Sequence, residues 1–164
     1  MTKKRTDLSS YDTSAIPEGK GLKIGIVVSS WNDKITNALY EGAEGTLTRH
    51  GVLPEDIITH FVPGSFELPQ AAAILIDSKD LDAVICLGCV IQGETRHFEF
   101  ICQAVAKGCM DLGIESLVPV IFGVLTTDTY EQAAERAGGK HGNKGEEAAA
   151  AALRMAGLRN ISSN

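Results

Sequence analysis

A polar segment, residues 92–97 (Gln-Gly-Glu-Thr-Arg-His), follows an apolar run and precedes a helical pattern. Free backbone N–H groups at the start of a helix, together with the helix dipole, favour a bound anion. Thr95 adds a hydroxyl donor, and His97 could transfer protons near neutral pH. The local pattern alone favours a polar helix start with a surface histidine. An anion site with a proton-transfer residue is the alternative.

Two aromatic residues also stand where apolar runs end. Trp31 is the single tryptophan, and Phe66 is followed directly by Glu67. An aromatic face can stack on a planar heterocycle, and a carboxylate can accept hydrogen bonds from hydroxyl groups. A core or interface position for Trp31 is equally compatible with the sequence. For the other two residues, the local pattern favours a core Phe66 and a Glu67 carboxylate at a helix start.

Three basic residues, Arg136, Lys140 and Lys144, lie in or beside the glycine-rich stretch 138–145. Their local positive charge contrasts with the net charge of -6 of the whole chain. Such a cluster suits the capture of a phosphate group, for which arginine offers a bidentate fork. The alternative is an ordinary solvated loop.

The four cysteines lie inside apolar segments, and two of them, Cys86 and Cys89, have C-x-x-C spacing. A redox motif would place this spacing at a helix start, but here it falls within an apolar run typical of a strand. Residues three apart on a strand point to opposite faces, and no second pair completes a zinc site. The sequence predicts reduced, mostly buried cysteines with neither redox nor metal function.

Apolar runs alternate with helical patterns along the chain. Strands are predicted at residues 22–28, 57–62, 82–91 and 117–125, and helices at about 33–50, 65–76, 97–112, 129–137 and 146–156. Four repeats of strand then helix indicate a parallel sheet that is covered on both faces. In such sheets ligands bind beyond the carboxyl ends of the strands, where the segments described above are found.

Composition limits the possible functions of the chain. Its 164 residues suit one domain, and its excess of acidic residues argues against general nucleic-acid binding. Its longest apolar stretch, 117–125, is far shorter than the roughly 20 residues of a membrane helix, and no signal peptide is evident. We therefore expect a cytoplasmic protein with a flexible arm at 1–20, one domain at 21–158 and a tail at 159–164.

Taken together, these segments resemble the 6,7-dimethyl-8-ribityllumazine synthase family. The resemblance is carried by IGIVVSSWND with ITNALYEGA after it, FVPGSFELPQAA, DAVICLGCVIQGETRHFEFI, PVIFGVLTTDTYEQAAERAG and GNKGEEAA. It implies a flavodoxin-like three-layer sandwich with a four-stranded parallel sheet. It also implies a transferase that condenses 5-amino-6-(D-ribitylamino)uracil with 3,4-dihydroxy-2-butanone 4-phosphate. The products are the lumazine, phosphate and water, and no metal or organic cofactor is expected.

The resemblance also implies a role for each candidate residue. Trp31 would stack on the ring, where many members have phenylalanine. The residues expected to hold the ribityl chain and the pyrimidine edge are Asn32, Phe66 and Glu67, with backbone groups from Ser65, Cys89, Val90 and Ile91. The residues expected to bind the butanone phosphate are Glu94, Thr95 and Arg136. His97 would transfer protons, while Phe122, Arg136 and Lys144 would come from a neighbouring subunit.

The resemblance further implies a homo-oligomer of pentamers. The stretch 138–145 is short, as in shell-forming members, so we expect a 60-subunit shell, which could enclose a riboflavin synthase. The N-terminal arm would add to a neighbour's sheet edge. Two alternatives are a non-catalytic protein that binds a flavin or lumazine, and a paralogue kept for shell building or for a pterin-like substrate. A pure binder would not need the complete set of His97, Arg136 and Lys144.

Overall fold

The computed structural model describes residues 12–161, and its centre is a parallel sheet of four strands in the order β2-β1-β3-β4. The strands are β1 (Ile24–Ser29), β2 (Ile57–Val62), β3 (Ala83–Ile91) and β4 (Val120–Thr127). The main helices are α1 (Asp33–Arg49), α2 (Leu68–Ser78), α3 (His97–Ser116), α4 (Tyr130–Ala134) and α5 (Lys144–Ile161). This arrangement confirms the predicted three-layer α/β fold.

Two apolar clusters fill the space between the sheet and its helices. Side chains of α1 and α5 pack with Ile26, Ile85 and Leu87 on one face. Side chains of α2 and α3 pack with Val27 and Val84 on the other. All six residues of β1 are buried, as expected for a parallel strand that is covered on both sides.

A close contact between α1 and α5 fixes the start of α5. A Cβ atom on Gly145 would lie 1.8 Å from the backbone oxygen of Leu39, so only glycine fits there. The Asn143 side chain accepts hydrogen bonds from the backbone N–H groups of Gly145 (2.8 Å) and Glu146 (3.4 Å). Its Nδ2 donates to the backbone oxygen of Ala38 on α1 at 3.0 Å. These contacts hold the first turn of α5 against α1.

Several predicted boundaries differ from the structure, and α4 ends at Ala134 rather than near 137. β4 begins at Val120 rather than near 117, because α3 continues to Ser116. The residue after it, Leu117, has a left-handed φ of 58° and forms the C-cap of α3. The glycine-rich stretch forms a small hairpin, β5 (Ala137–Gly139) and β6 (Gly142–Asn143), instead of a plain loop. α5 begins two residues before the predicted start and continues to Ile161, so residues 159–161 belong to it.

The segment expected as a flexible arm is described from Asp12 onward. Ile16 is only 8% exposed, and the N–H of Gly19 donates to the carbonyl of His50 at 2.6 Å. Ile16 and Gly19 therefore hold this segment against the domain, while residues 12–15 are exposed, and residues 1–11 lie outside the described part of the chain. Within residues 12–161, no helix is long and apolar enough to cross a membrane.

Candidate active site

Predicted site residues from three segments line one cavity of about 200 Å³ at the carboxyl ends of β1 and β3. We call it the ring cavity. Its lining residues are Trp31, Asn32, Ser65, Phe66, Cys89, Val90, Ile91, His97 and Ile101. Ile101 was not predicted, although it follows His97 by four positions and so shares its helix face.

Two large aromatic side chains stand exposed in the ring cavity. Trp31 is 65% exposed and Phe66 is 58% exposed, so the prediction that Phe66 is a core residue is wrong. Phe66 lies in a short 3-10 turn whose neighbours Ser65 and Leu68 point inward, which leaves the phenyl ring outside. The Trp31 ring covers Gly64, where a Cβ atom would lie 2.5 Å from it. Both rings can contact a planar ligand.

Asn32 joins α1 to the end of β3. It has left-handed backbone angles, φ 59° and ψ 48°, and its side chain forms no hydrogen-bonded cap on α1. The left-handed backbone turns its amide toward β3, where Nδ2 donates to the carbonyl of Cys89 at 3.1 Å. The residue thus holds one edge of the ring cavity in place.

Two substitutions of Asn32 separate the effect of its left-handed backbone from the effect of its hydrogen bond to Cys89. Asn32→Gly and Asn32→Ala both lose the hydrogen bond to Cys89, but only glycine adopts the left-handed backbone without strain. We expect Asn32→Ala to have a free energy of unfolding about 1 kcal/mol lower than Asn32→Gly. Urea denaturation followed by circular dichroism measures the difference. Equal values for the two variants would mean that the backbone of residue 32 relaxes after substitution.

Three further candidates, Glu67, Ser65 and Cys89, differ in their contacts, and Glu67 is not among the residues that line the ring cavity. Glu67 accepts a hydrogen bond from the N–H of Gly64 at 3.0 Å, which confirms its predicted place at the helix start. Ser65 is 6% exposed, and its hydroxyl has no hydrogen-bond partner within residues 12–161. Burial raises the pKa of the Cys89 thiol to about 11, so the thiol is neutral near pH 7.

The segment before α3 is open to solvent. Gly93, Glu94, Thr95 and Arg96 are exposed, and so is His97, the first residue of α3. The Thr95 hydroxyl accepts a hydrogen bond from the backbone N–H of His97 at 3.4 Å. Glu94 and Thr95 do not line the ring cavity itself, but they adjoin His97, which does. A ligand in the ring cavity can therefore reach both the imidazole and this segment.

A second, larger cavity of about 460 Å³ lies along the edge strand β4. We call it the basic cavity, and it holds the other predicted residues, Phe122, Arg136 and Lys144. One guanidinium nitrogen of Arg136 donates to the carbonyl of Gln132 at 2.9 Å. The Lys144 ammonium lies 3.1 Å from the Glu147 carboxylate. The ring cavity and the basic cavity share no residue, so one chain does not bring all the candidates together.

The structure also separates Lys140 from the other two basic residues. Its ammonium pairs with the Glu135 carboxylate at 2.9 Å, and it is absent from the wall of the basic cavity. Hydrogen bonding to Lys140 lowers the pKa of Glu135. Gln132 and Glu147 line the basic cavity without having been predicted. Helical spacing could have found them, since they lie four residues before Arg136 and three after Lys144.

The C-x-x-C pair lies within β3, as predicted. Cys86 packs in the cluster beneath α2 and α3, and Cys89 in the cluster beneath α1 and α5, so the two thiols face opposite sides of the sheet. All four cysteines are free. Within residues 12–161, no group of three or more His, Cys, Asp or Glu side chains is arranged to hold a metal ion.

Known proteins share this sequence over nearly its whole length. Residues 21–160 match the family described as 6,7-dimethyl-8-ribityllumazine synthase. The chain belongs to this family. A curated 6,7-dimethyl-8-ribityllumazine synthase from Porphyromonas gingivalis is 56% identical over 155 residues, which are 94% of this chain and 96% of the relative. One of the same name from Cytophaga hutchinsonii is 56% identical over 94% of this chain and 97% of its own length.

The lumazine synthase match confirms the resemblance expected from the sequence motifs. It extends over both cavities, from Trp31 in the ring cavity to Lys144 in the basic cavity. A third relative of the same name, from Parabacteroides distasonis, is 51% identical over 91% of this chain and 93% of its own length. The relatives and this chain are therefore similar in extent as well as in sequence.

Proposed function

We propose that the ring cavity binds 5-amino-6-(D-ribitylamino)uracil and that the basic cavity binds the phosphate of 3,4-dihydroxy-2-butanone 4-phosphate. The reaction of this enzyme family condenses the two into 6,7-dimethyl-8-ribityllumazine and releases phosphate and water. It is the penultimate step of riboflavin synthesis. The observation that carries the assignment is the exposed pair of Trp31 and Phe66 beside His97 in one small cavity.

We propose that each complete site combines the ring cavity of one subunit with the basic cavity of its neighbour. The ring cavity contains no lysine or arginine in its lining, yet the second substrate carries a phosphate dianion. The cations that would balance this charge, Arg136 and Lys144, lie at the open edge of the sheet. Phe122 lies there too and is 37% exposed, as suits a residue that reaches a second copy of the chain.

The chemistry follows from this arrangement. The 5-amino group attacks the ketone, water leaves as an imine forms, phosphate departs, and the second nitrogen closes the ring with loss of another water. Each step moves a proton, and we assign these transfers to His97 because it is the imidazole in the ring cavity. Arg136 and Lys144 would stabilise the departing phosphate. Holding two substrates together supplies much of the remaining acceleration.

His97→Ala should therefore slow the reaction without abolishing it. We expect kcat to fall by about tenfold to a hundredfold, because proximity of the two substrates remains after the proton-transfer group is lost. Steady-state rates of lumazine formation across pH 6–9 measure the effect. Complete loss of activity in a folded variant would show that His97 does more than transfer protons.

The proposed function is tested by mixing the purified protein with both substrates. Lumazine absorbance and phosphate release are followed together and compared with the uncatalysed background. Equal amounts of both products, formed well above the background, would support the assignment. Binding of the lumazine without turnover would favour the alternative of a non-catalytic binder.

We also propose an assembly of pentamers, with a 60-subunit shell as its final form. α3 exposes Phe100 (69%), Met110 (64%) and Ile114 (65%) on its outer side, an apolar surface that suits contact with another subunit. Light scattering distinguishes a shell from a mass of five subunits, which would contradict the shell. Co-purification would test whether it encloses a riboflavin synthase.

The four free thiols fit a proposed cytoplasmic location, which cell fractionation tests.

A further inference from the structure

Gln132 forms three hydrogen bonds, one each through its backbone N–H, its backbone carbonyl and its side-chain amide. Its N–H donates to the hydroxyl of Thr129 at 3.2 Å. Its carbonyl accepts the hydrogen bond from the Arg136 guanidinium at 2.9 Å. Its side-chain Oε1 accepts from the backbone N–H of Asp128, also at 2.9 Å. Neither the backbone nor the side chain of Gln132 is left to rotate freely.

The hydrogen bond from the N–H of Asp128 identifies the oxygen and the nitrogen of the Gln132 side-chain amide. A backbone N–H can only donate, so the amide atom that faces it must be the oxygen. The Nε2 group, with its two N–H donors, is then the end that remains for another partner. Within residues 12–161 it donates no hydrogen bond. Gln132 is half-buried and lines the basic cavity together with Arg136 and Lys144.

We propose that Gln132 is a phosphate-binding residue whose Nε2–H donates to a phosphate oxygen of the butanone substrate, while its carbonyl positions the Arg136 guanidinium. The inference rests on the proposed function, since it assumes that the phosphate enters the basic cavity. A phosphate group has more acceptor sites than one arginine fork can satisfy. A neutral donor fixed beside that fork adds a hydrogen bond without adding charge.

Gln132→Glu tests the proposal with little change of shape. The carboxylate can still accept from the N–H of Asp128, so the turn keeps its hydrogen bond, but the Nε2 donor is replaced by a negative charge. We expect the KM for butanone phosphate to rise at least about tenfold. The inhibition constant of inorganic phosphate should rise by a similar factor. The KM for the uracil substrate and the midpoint of thermal unfolding should stay unchanged.

Thr129→Ala is the matched control for a purely structural role. It removes the hydroxyl that accepts from the N–H of Gln132 and leaves the Nε2 donor in place. We expect it to lower the midpoint of thermal unfolding, with a smaller effect on the phosphate constants than Gln132→Glu. If the phosphate constants change in Thr129→Ala but not in Gln132→Glu, Gln132 only shapes the turn and the proposal is wrong.

Direct binding separates this inference from the proposed function. Titration of the assembled wild-type protein and of Gln132→Glu with inorganic phosphate alone needs no turnover. Weaker phosphate binding in the variant supports the role of Gln132 even if the wild-type enzyme fails to form lumazine. Equal phosphate binding in the two proteins overturns it even if the wild-type enzyme turns over normally.

Discussion

Gly145→Ala is expected to destabilise the domain by more than about 3 kcal/mol, the upper end of ordinary overpacking. The added methyl group would lie 1.8 Å from the backbone oxygen of Leu39, and a backbone atom of a central helix cannot rotate away as a side chain can. α1 and α5 would have to separate, which would disrupt the apolar cluster that they share with Ile26 and Ile85. A domain of this size has only about 5–15 kcal/mol of stability to lose.

The same helix offers a matched control at Gly157. Within residues 12–161, a Cβ atom there would meet only Pro17, at the ordinary contact distance of 3.7 Å. Because alanine favours a helix more than glycine does, Gly157→Ala should be neutral or stabilising by up to about 1 kcal/mol. Thermal unfolding at one fixed protein concentration, followed by circular dichroism, compares the two variants. Similar midpoints would contradict the close approach of α5 to α1.

Arg136→Ala is expected to reduce kcat/KM for butanone phosphate by about a hundredfold to a thousandfold. The guanidinium is held on the wall of the basic cavity by the carbonyl of Gln132, so its remaining N–H groups are arranged before the substrate arrives. In the proposed site, its loss would remove a charge-assisted hydrogen bond both to the bound phosphate and to the departing one. The KM for the uracil substrate should change little, because that substrate lacks a phosphate.

Lys140→Ala provides the control for charge alone. It removes a positive charge from the hairpin that follows Arg136, but its ammonium pairs with Glu135 outside the basic cavity. Steady-state kinetics should therefore give nearly wild-type constants for Lys140→Ala and a large loss for Arg136→Ala. Arg136→Lys should recover only part of the activity, since lysine lacks the planar fork. An unchanged KM for butanone phosphate in Arg136→Ala would remove Arg136 from the phosphate site.

Most of the fold was predictable because β1 and β3 are buried along most of their length and are continuous apolar runs. The second strand was predicted with its observed bounds, Ile57–Val62, and the face of α1 carrying Ile35, Leu39, Ala43 and Leu47 is buried as its spacing indicates. The hairpin of β5 and β6 was not predictable. Its strands have three and two residues, too few to show a period, and glycine is compatible with any loop.

The candidate site was harder to predict because its geometry is tertiary. A phenylalanine after a strand is compatible with the core, and only the 3-10 turn at Ser65–Glu67 turns Phe66 outward. An asparagine just before a helix is typical of a helix cap, but the left-handed backbone of Asn32 directs its amide to a strand 57 residues away in sequence. Only its spacing from Arg136 could have indicated Gln132 in the sequence, because its proposed role depends on which atom of its side-chain amide faces Asp128.

α1 determines how the two cavities of one chain are spaced. Asn32 at its start belongs to the ring cavity, and Leu39, about 10 Å further along, holds the turn that carries Lys144. This helix therefore sets the separation of the two cavities within each subunit. If neighbouring subunits share each site, the specific activity depends on the concentration of subunits, because two of them must associate to form one site. Dissociated subunits would keep their folded helices and both cavities, yet lack a whole active site.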